Sequence, residues 1–586
     1  MRRLLALLVV AAVARGGMAD DAVQPVLDAF KAGKMFDKSE YKAVRGAAAK
    51  VFEARQAEVI KSAFGPENAA LSAWLDKQKD LKEEFYSAIH PQRDNIAKAL
   101  AVFRDLWKED AAAVAKYPNL AIALAVVWDA PENVYDYRPH QVRTKSILPP
   151  EYMDYGPVNE FKYHVGHAKA VQGKEAVSRL EVLPWEFLVY VVDHRTPTEE
   201  RDWAVKNYLP KRPMIGEVYK EIVYDTEMLR TRSEVCKLNG RDYSLQAIKN
   251  AGGVCAMQAD FAARVGKTLA VPAAYVGGQS QDLGLHAWVM WVEVKSATRE
   301  NVNFALKDYG RYADDKYYTG YLRDPQTGEA ILDRDMERRL AAAAVDRIGK
   351  RQAELAMQFY ADVAAANNFD AKKKIQYLDG ALKLAPHTEA AWQELARMAR
   401  EKEVTGDLKS TVFEHADRLL VTFAKYPDFS WKVANDLMSL QTDKFARNRF
   451  FDQLAAMYER ASRPDLACEA RLKWADLLAE DHKFPAIAEG LAAGIKKFPN
   501  EGRYVPKLLS QMKKATDEFK GGKDYLGRTY LDLILRMDPK RGDEVTKYFI
   551  LISTEALSFF EGEKKVKEAN EVKKKMRSLG VKVPVA

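Results

Sequence analysis

Cys255 lies where the sequence predicts the first turn of a helix. Two glycines precede it at positions 252 and 253, and the Ala-rich segment 255–267 carries apolar side chains at four-residue intervals. Free N–H groups at a helix N-terminus lower the pKa of a thiol there, and they also stabilise a developing oxyanion. These features predict a nucleophilic thiolate with backbone donors beside it.

His286 begins the run His-Ala-Trp-Val, 31 positions after Cys255. Residues 288–294 alternate in the manner of a buried strand, so the imidazole is expected at the start of that strand. An imidazole within reach of a thiol takes its proton and acts as general base. The two residues together predict a cysteine enzyme that attacks amide or peptide carbonyls and forms a thioester.

An aspartate after the next strand supplies a third candidate. If the hairpin turn is centred near Ala297, Asp308 lies opposite His286 on the antiparallel neighbour, where its carboxylate would hold one ring nitrogen. Asp324, in the turn-like sequence Arg-Asp-Pro-Gln-Thr-Gly, is the alternative. The predicted catalytic set is therefore Cys255, His286 and Asp308, with Asp324 as the alternative to Asp308.

These motifs resemble the transglutaminase-like superfamily: Gly-Val-Cys at a helix start, His-Ala-Trp-Val at a strand, and an aspartate after the following strand. The similarity covers residues 185–335, and residues 218–225 resemble the element that precedes the cysteine in that superfamily. It implies a papain-like core domain with a Cys-His-Asp triad, in which Cys255 matches the nucleophile and His286 the general base. Many members have Asp-Pro-Thr at the third position. Here the hairpin ends in Asp-Tyr-Gly and Asp-Pro-Gln follows later, so both aspartates stay candidates.

The superfamily includes peptidases, amidases and protein cross-linking enzymes, so the resemblance implies a protein or peptide substrate. Hydrolysis is the preferred prediction, because the chain lacks the Asp-x-Asp-x-Asp-Gly spacing that would indicate a calcium-activated cross-linker. A protein cross-linking transglutaminase is one alternative. The other alternative is a catalytically inactive interaction scaffold of the cell envelope that uses its helical repeats.

The N-terminus has the pattern of a secretory signal peptide. Arg2 and Arg3 precede an uncharged apolar run at residues 4–14, and a small-residue cleavage site ends at Ala19. The apolar run is too short to span a bilayer, so no membrane span is expected after the signal is removed. The protein is therefore predicted to be exported to the periplasm, the cell envelope or the extracellular space.

Composition argues against several classes of function. The formal net charge of +8 falls to +5 once the three arginines of the signal peptide are removed, and no concentrated basic stripe indicates nucleic-acid binding. All three cysteines are expected to be reduced, because a nucleophilic Cys255 must stay free. No motif indicates a cofactor or a metal site. His164 and His167 have no third ligand nearby in sequence and are expected at the surface.

After about residue 341 the pattern is helical to the end of the chain, and five prolines follow one another 35 to 41 residues apart. Each stands beside an apolar helical segment, and this period resembles tetratricopeptide-type repeats. Such an array either binds a protein partner or supports the enzyme domain. The prolines are Pro386, Pro427, Pro464, Pro499 and Pro539.

The predicted fold class is α+β, with a transglutaminase-like (papain-like) core domain, an N-terminal helical region and a C-terminal α-helical repeat array. The apolar run 182–192 is interpreted as a buried strand or wall of the core. The expected domains are a signal peptide (1–19), a helical N-terminal region (20–128), an extended connector (129–181), the transglutaminase-like domain (182–340) and tetratricopeptide-like repeats (341–586).

Overall fold

Helices dominate the computed structural model, which describes residues 21–172, 179–298, 301–311 and 319–583. Helices make up 66% of the chain, and the larger β-sheet has five described strands. Within those ranges, no helix combines the length and the apolar character needed to cross a membrane. The predicted signal peptide, residues 1–19, lies outside the described residues.

The N-terminal helices bury a shared apolar core. They are α1 (Gln24–Lys31), α2 (Tyr41–Arg55), α3 (Ala57–Phe64), α4 (Asn68–Lys77), α5 (Lys79–Ala88), α6 (Ile96–Lys116) and α7 (Pro118–Val127). Residues 120–127 of α7 are apolar on every side and completely buried, as expected for a helix in the centre of a core. Pro118 stands at its first turn, where the missing N–H breaks no intrahelical bond.

Further helices lead to the sheet. They are α8 (Arg138–Thr144), α9 (Glu151–Asp154), α10 (Pro157–His167), α11 (Arg179–Val182), α12 (Trp185–Val192), α13 (Thr198–Tyr208), α14 (Ile215–Lys220), α15 (Thr226–Arg230), α16 (Leu245–Ala251) and α17 (Cys255–Thr268). Short 3-10 turns occur at Asp21–Val23, Lys38–Glu40, Gly65–Glu67, Ala170–Gln172 and Leu209–Lys211.

Buried ion pairs hold α17 against the helices before it. Arg264 Nη2 lies 3.0 Å from Glu200 Oε2, and Arg264 Nε donates to Thr196 Oγ1 at 3.0 Å. Lys267 pairs with Asp193 nearer the C-terminus of the helix. Removing one partner of a buried pair costs about 3–5 kcal/mol, because the other charge is left uncompensated. These contacts therefore fix α17 to α13 and to the segment between α12 and α13.

α10 carries a second buried ion cluster, centred on Glu160. Arg201 donates to both of its carboxylate oxygens, at 2.9 Å for Nη1 to Oε1, and His164 Nε2 lies 2.8 Å from Oε1. Burial raises the pKa of Glu160, but Arg201 and His164 outweigh burial and keep that pKa below its ordinary value. The prediction of a surface His164 is wrong, because this carboxylate holds it in the interior. His167 is partly exposed and lies 3.1 Å from Asp202.

The five-stranded sheet follows α17. Its strands are β1 (Ala273–Gln279), β2 (Leu285–Ala297), β3 (Val302–Tyr309), β4 (Tyr321–Arg323) and β5 (Ala330–Leu332). Their order is β3-β2-β1-β4-β5, and each neighbouring pair is antiparallel. The strand predicted at 288–294 is confirmed as part of β2, which is longer than predicted.

The two faces of β2 bury different groups of side chains. Ala287, Val289 and Trp291 pack with α17 and its neighbouring helices. Trp288 and Met290 pack instead with the core of the N-terminal helices and α12. Since successive side chains of a strand point to opposite faces, the sheet forms a layer between these two groups of helices.

Trp288 is completely buried at a point where two glycines approach it. A Cβ atom at Gly278 would lie 2.5 Å from Trp288 Cη2, and one at Gly320 would overlap both the indole and Val276. Side-chain carbons do not approach this closely, so only glycine fits beside the ring at these two positions.

After the sheet the chain continues as helices. α18 (Asp333–Val345), α19 (Arg347–Gln358), α20 (Tyr360–Ala366) and α21 (Ala371–Leu384) lead to a series of helix pairs. Taken two at a time in chain order, the helices of these pairs are α22 (Glu389–Arg400) and α23 (Leu408–Thr422), α24 (Pro427–Met438) and α25 (Lys444–Arg460), α26 (Pro464–Ala479) and α27 (Phe484–Lys497), α28 (Val505–Thr516) and α29 (Gly522–Arg536), and α30 (Lys547–Gly562) and α31 (Val566–Ser578). The short strands β6 (Lys540–Arg541) and β7 (Glu544–Val545) precede the last pair.

The recurring prolines mark the first helix of each pair. Pro427 and Pro464 are the first residues of α24 and α26, where a proline fits the helix N-terminus. Pro386, Pro499 and Pro539 stand a few residues before α22, α28 and α30. The prediction that each proline separates two helices is therefore confirmed.

Polar contacts join neighbouring helix pairs at the repeat spacing. Their partners are 35 to 40 residues apart, so each contact connects similar positions of adjacent pairs. The pair of Arg463 and Asp428 is buried, whereas the others are at least partly exposed, and exposed pairs are worth about 0.2–1 kcal/mol each. The contacts join Arg418 to Asp379, Arg400 to Asp436, Arg463 to Asp428, Lys497 to Glu459 and Lys523 to Glu563.

The C-terminal part of the array returns to the sheet at the loop between β1 and β2. Gly502 N donates to Gln281 O at 2.9 Å, and Arg541 Nη1 lies 3.4 Å from Asp282 Oδ1. This loop leads directly into His286. The position of the loop therefore depends on the array as well as on the sheet.

The prediction of an α+β fold with a transglutaminase-like (papain-like) core is wrong. The molecule is mostly helical, and its sheet is one small layer within it. The apolar run 182–192 is largely α12 and not a strand. Periodicity cannot separate a strand from a helix in a short run that is apolar at every position and buried on all sides.

Gly320→Ala is expected to destabilise the protein by about 1–3 kcal/mol, because the added methyl group overpacks the core at Trp288. Gly166→Ala in α10 is the matched control. Its Cβ would meet no atom within 4 Å, and alanine is favoured over glycine in a helix. Urea unfolding followed by tryptophan fluorescence measures both changes. Equal unfolding midpoints for the two variants would contradict the packing described at Trp288.

Candidate functional site

Cys255 is the first residue of α17, as predicted. Val254 before it is extended, at φ −84° and ψ 179°, and its side chain makes no capping hydrogen bond. The first-turn N–H groups of the helix are therefore not used by a capping side chain. The N–H groups of Ala287, Ala256 and Cys255 itself act on the sulfur and favour the thiolate.

Burial has a larger effect on the pKa of this thiol than the backbone N–H groups have. It raises the pKa of Cys255 above its ordinary value, and the backbone donors and the charge of Arg143 offset only part of the rise. Cys255 forms no disulfide, and neither do Cys236 and Cys468. At neutral pH the thiol is mostly protonated, and it is a weaker nucleophile than a helix start alone would predict.

His286 is held by the chain that leaves β3. Its Nε2–H donates to the carbonyl oxygen of Gly310 at 2.5 Å, and the centroid of its ring lies 6.3 Å from that of the Trp288 ring. Burial lowers the pKa of His286, the Gly310 carbonyl partly opposes this, and the charge of Arg541 adds to the lowering. The imidazole is therefore neutral at neutral pH, with its proton on Nε2.

The thiol lies beside the backbone of β2 next to His286. Cys255 packs with the group of side chains that includes Ala287 and Val289, and the N–H of Ala287 acts on its sulfur. Along β2, His286 has the parity of Trp288, whose side chain packs with the N-terminal helices. The pairing of Cys255 with His286 therefore stays a prediction.

Asp308 does not lie opposite His286, and the predicted register is wrong. Asp308 pairs with Met290, and Ala297 pairs with Val302, so the turn lies beyond Ala297. A bulge between Val294 and Ser296 shifts the register further. The Asp308 carboxylate is partly exposed and faces Arg311, with Oδ2 3.5 Å from Nη1.

Asp324 organises the turn between β4 and β5. Its Oδ1 accepts the backbone N–H groups of Gln326 and Thr327, at 2.9 and 3.2 Å, and its Oδ2 lies 2.6 Å from Arg339 Nη1 on α18. Both carboxylate oxygens are therefore engaged by a turn and by an ion pair. This is the arrangement of a structural turn residue, and neither aspartate contacts the imidazole of His286 through these bonds.

Sequence reasoning missed the side chains that surround the thiol. Arg143 lies close enough to the sulfur to act on it, and Tyr275 lies beside it from β1. Tyr275 makes an edge contact with His140 at 5.1 Å between ring centroids. His140 is buried, stacks on Tyr243 at 5.6 Å, and bonds to the hydroxyl of Tyr135.

Of these side chains, Tyr135, His140 and Arg143 come from the segment interpreted as an extended connector. Its Tyr-rich composition between positions 129 and 157 is the signal that could have found them. Burial lowers the pKa of His140, so this imidazole is neutral at neutral pH. In the ranges that the structure describes, no group of three or more His, Cys, Asp or Glu side chains could hold a metal ion.

Comparisons with known proteins identify no family for this chain. No protein-family model and no curated protein matches it. Among solved structures, it is similar to a protein described as a circular tandem repeat protein with novel repeat topology and enhanced subunit contact surfaces. The match covers 95% of each chain at 10% sequence identity, with a TM-score of 0.11. A TM-score this low supports no conclusion about fold or function.

Alkylation of Cys255 by iodoacetamide is expected to accelerate with pH up to and beyond pH 9, because burial raises the pKa of this thiol. His286→Ala should leave the profile unchanged, because burial has the largest effect on the pKa of this thiol. Site-resolved mass spectrometry measures the rate, with labelling of Cys236 as the internal control. A neutral-pH rate at Cys255 that His286→Ala abolishes would contradict this prediction and restore the thiol–imidazole pair.

Proposed function

We propose that the chain is an interaction scaffold whose helix pairs, α22 to α31, bind a protein or peptide partner. The mostly helical fold and the regular pairing of these helices support this proposal. Stacked helix pairs form an extended surface on which many side chains contact a partner without any chemical step. The thiol region supplies no comparable support for catalysis, because burial raises the pKa of Cys255 and keeps the thiol mostly protonated.

A groove between α27 and α29 is the observation that carries this proposal. It has a volume of about 340 Å³, and its walls include Glu489, Lys496, Tyr525, Arg528 and Asp532. The guanidinium of Arg528 lies 5.7 Å from the centre of the Tyr525 ring. An aromatic side chain beside an arginine is the combination that most often dominates the energy of a protein interface.

Charges of both signs line this groove without being used in ion pairs. Within the described residues, Glu489, Lys496 and Arg528 have no ion-pair partner, whereas Asp532 pairs with Arg536. Unpaired charges that face one groove can pair with those of a ligand. The groove therefore suits a peptide segment that carries acidic and basic side chains and one apolar group for the Tyr525 ring.

The thiol-enzyme hypothesis stays a second candidate, in its hydrolytic and its cross-linking form. It is supported by the position of Cys255 at the first turn of α17 and by the N–H groups that act on its sulfur. It requires the side chain of His286, or another base, to reach the sulfur. The transglutaminase-like resemblance and export to the periplasm, cell envelope or exterior likewise stay predictions from sequence.

Peptides selected from a random library on the full-length protein should lose about tenfold or more in affinity when Tyr525→Ala or Arg528→Glu is introduced, because such anchors are each worth more than about 1 kcal/mol. Lys514→Glu on α28, an exposed charge outside the groove, is the matched control and should have no effect. Fluorescence anisotropy with the selected peptides measures the affinities. Unchanged affinity in both groove variants would refute the proposed binding groove.

A further inference from the structure

A second cleft lies on the surface near the thiol, between the end of α8 and the chain that follows α15. It has a volume of about 470 Å³ and is lined by Val142, Arg143, Lys145, Arg232 and Glu234, among others. None of these side chains belongs to the helix pairs that carry the proposed function. The cleft is therefore a separate surface, and its charges indicate what it would bind.

Three positive charges face this cleft, and none of them is neutralised by the protein. In the part of the chain that the structure describes, Arg143, Lys145 and Arg232 have no ion-pair partner, while one carboxylate, Glu234, shares the cleft. By contrast, the neighbouring Arg138 and Arg230 are each paired with a nearby acid. Unpaired cations that converge on one cleft attract anions and form charge-assisted hydrogen bonds with them.

Residues on both walls of the cleft adopt left-handed backbone conformations, which are costly for residues other than glycine. Lys145, Arg232 and Ser233 have φ values of 55°, 51° and 69°, in the left-handed region. Lys145 O accepts the N–H of Gly240 at 3.0 Å, and Ser233 N donates to Met228 O at 2.8 Å. Such strain costs about 1–3 kcal/mol per residue and persists only where surrounding bonds impose it. The backbone that carries Lys145 and Arg232 is therefore held in position by the surrounding bonds.

The cleft also has an apolar side and a connection to the thiol. Val142 on its wall is 80% exposed, and Val235, which follows Glu234, is 51% exposed. Arg143 lines the cleft, and its charge partly opposes the rise in the pKa of the Cys255 thiol. A ligand that neutralises Arg143 would therefore act on the pKa of this thiol.

We propose that this cleft binds a multiply charged anion of the carboxylate or phosphate type, held by Arg143, Lys145 and Arg232. The planar guanidinium groups bind either kind of anion through paired N–H donors, and Lys145 adds a point charge. Val142 leaves room for an apolar part of the same ligand. This inference is independent of the proposed groove between α27 and α29.

Isothermal titration of the full-length protein with citrate and with tripolyphosphate tests the proposal and distinguishes the two sources of charge. At least one probe should bind saturably with one site per chain. Arg143→Gln and Arg232→Gln should each weaken binding about tenfold or more, since a hydrogen bond to a charged group is worth about 1.5–3 kcal/mol. Lys514→Gln, a distant exposed charge, is the matched control and should bind as the unsubstituted protein does.

Alkylation of Cys255 gives a second readout. The bound probe should slow the reaction of the unsubstituted protein, because it neutralises the Arg143 charge near the sulfur, and it should leave the rate of Arg143→Gln unchanged. Circular dichroism confirms that each variant is folded. Absence of saturable binding by both probes, or equal affinity in the two arginine variants and the control, would overturn the proposal.

Discussion

The position of α17, and with it the position of Cys255, depends on the buried guanidinium of Arg264. This charge lies in the interior, where only close partners compensate the loss of water, and Glu200 and Thr196 provide them at 3.0 Å. The rings of Tyr137 and Tyr152 lie 5.2 and 5.3 Å from its central carbon. One side chain thus ties α17 to α13, to α9 and to the chain before α8. The helix that begins with the thiol is positioned by this interaction.

The sheet and the helix pairs meet at the loop between β1 and β2, and this contact links the two halves of the molecule. Gly502 and Arg541 from the helical array bond to that loop, which leads into His286. The array therefore also supports the sheet, because Gly502 and Arg541 hold the loop that leads into β2. A partner bound in the groove between α27 and α29 would lie on the same array, apart from the cleft near Cys255. The molecule thus offers two separate surfaces on one continuous scaffold.

Local features of the fold were predictable, and those that depend on register were not. The helix that begins at Cys255 follows from the glycines before it and from its apolar spacing, and strand β2 follows from its alternation. These signals act over a few residues. The pairing of β2 with β3 depends on where the turn and a bulge fall. If the centre of the turn is misplaced by two residues, each residue of β3 is assigned a partner on β2 that is wrong by four positions. Asp308 was therefore expected beside His286 and instead lies opposite Met290. The run 182–192 became a helix because its surroundings bury every side of it.

The sequence was sufficient to predict the helix that begins at Cys255, strand β2 and the recurring helices after residue 341, because turns, prolines and apolar spacing are local signals. It also placed a thiol and an imidazole near each other along the chain. The side chains around them were decided by tertiary packing, since the residues of β2 acquire their neighbours only when the two helical layers are in place. The same holds for the cleft of Arg143, Lys145 and Arg232, because the first two residues are distant in sequence from Arg232 and share a cleft with it only in the folded chain. Long-range packing, and not a local sequence pattern, therefore decided which side chains surround Cys255.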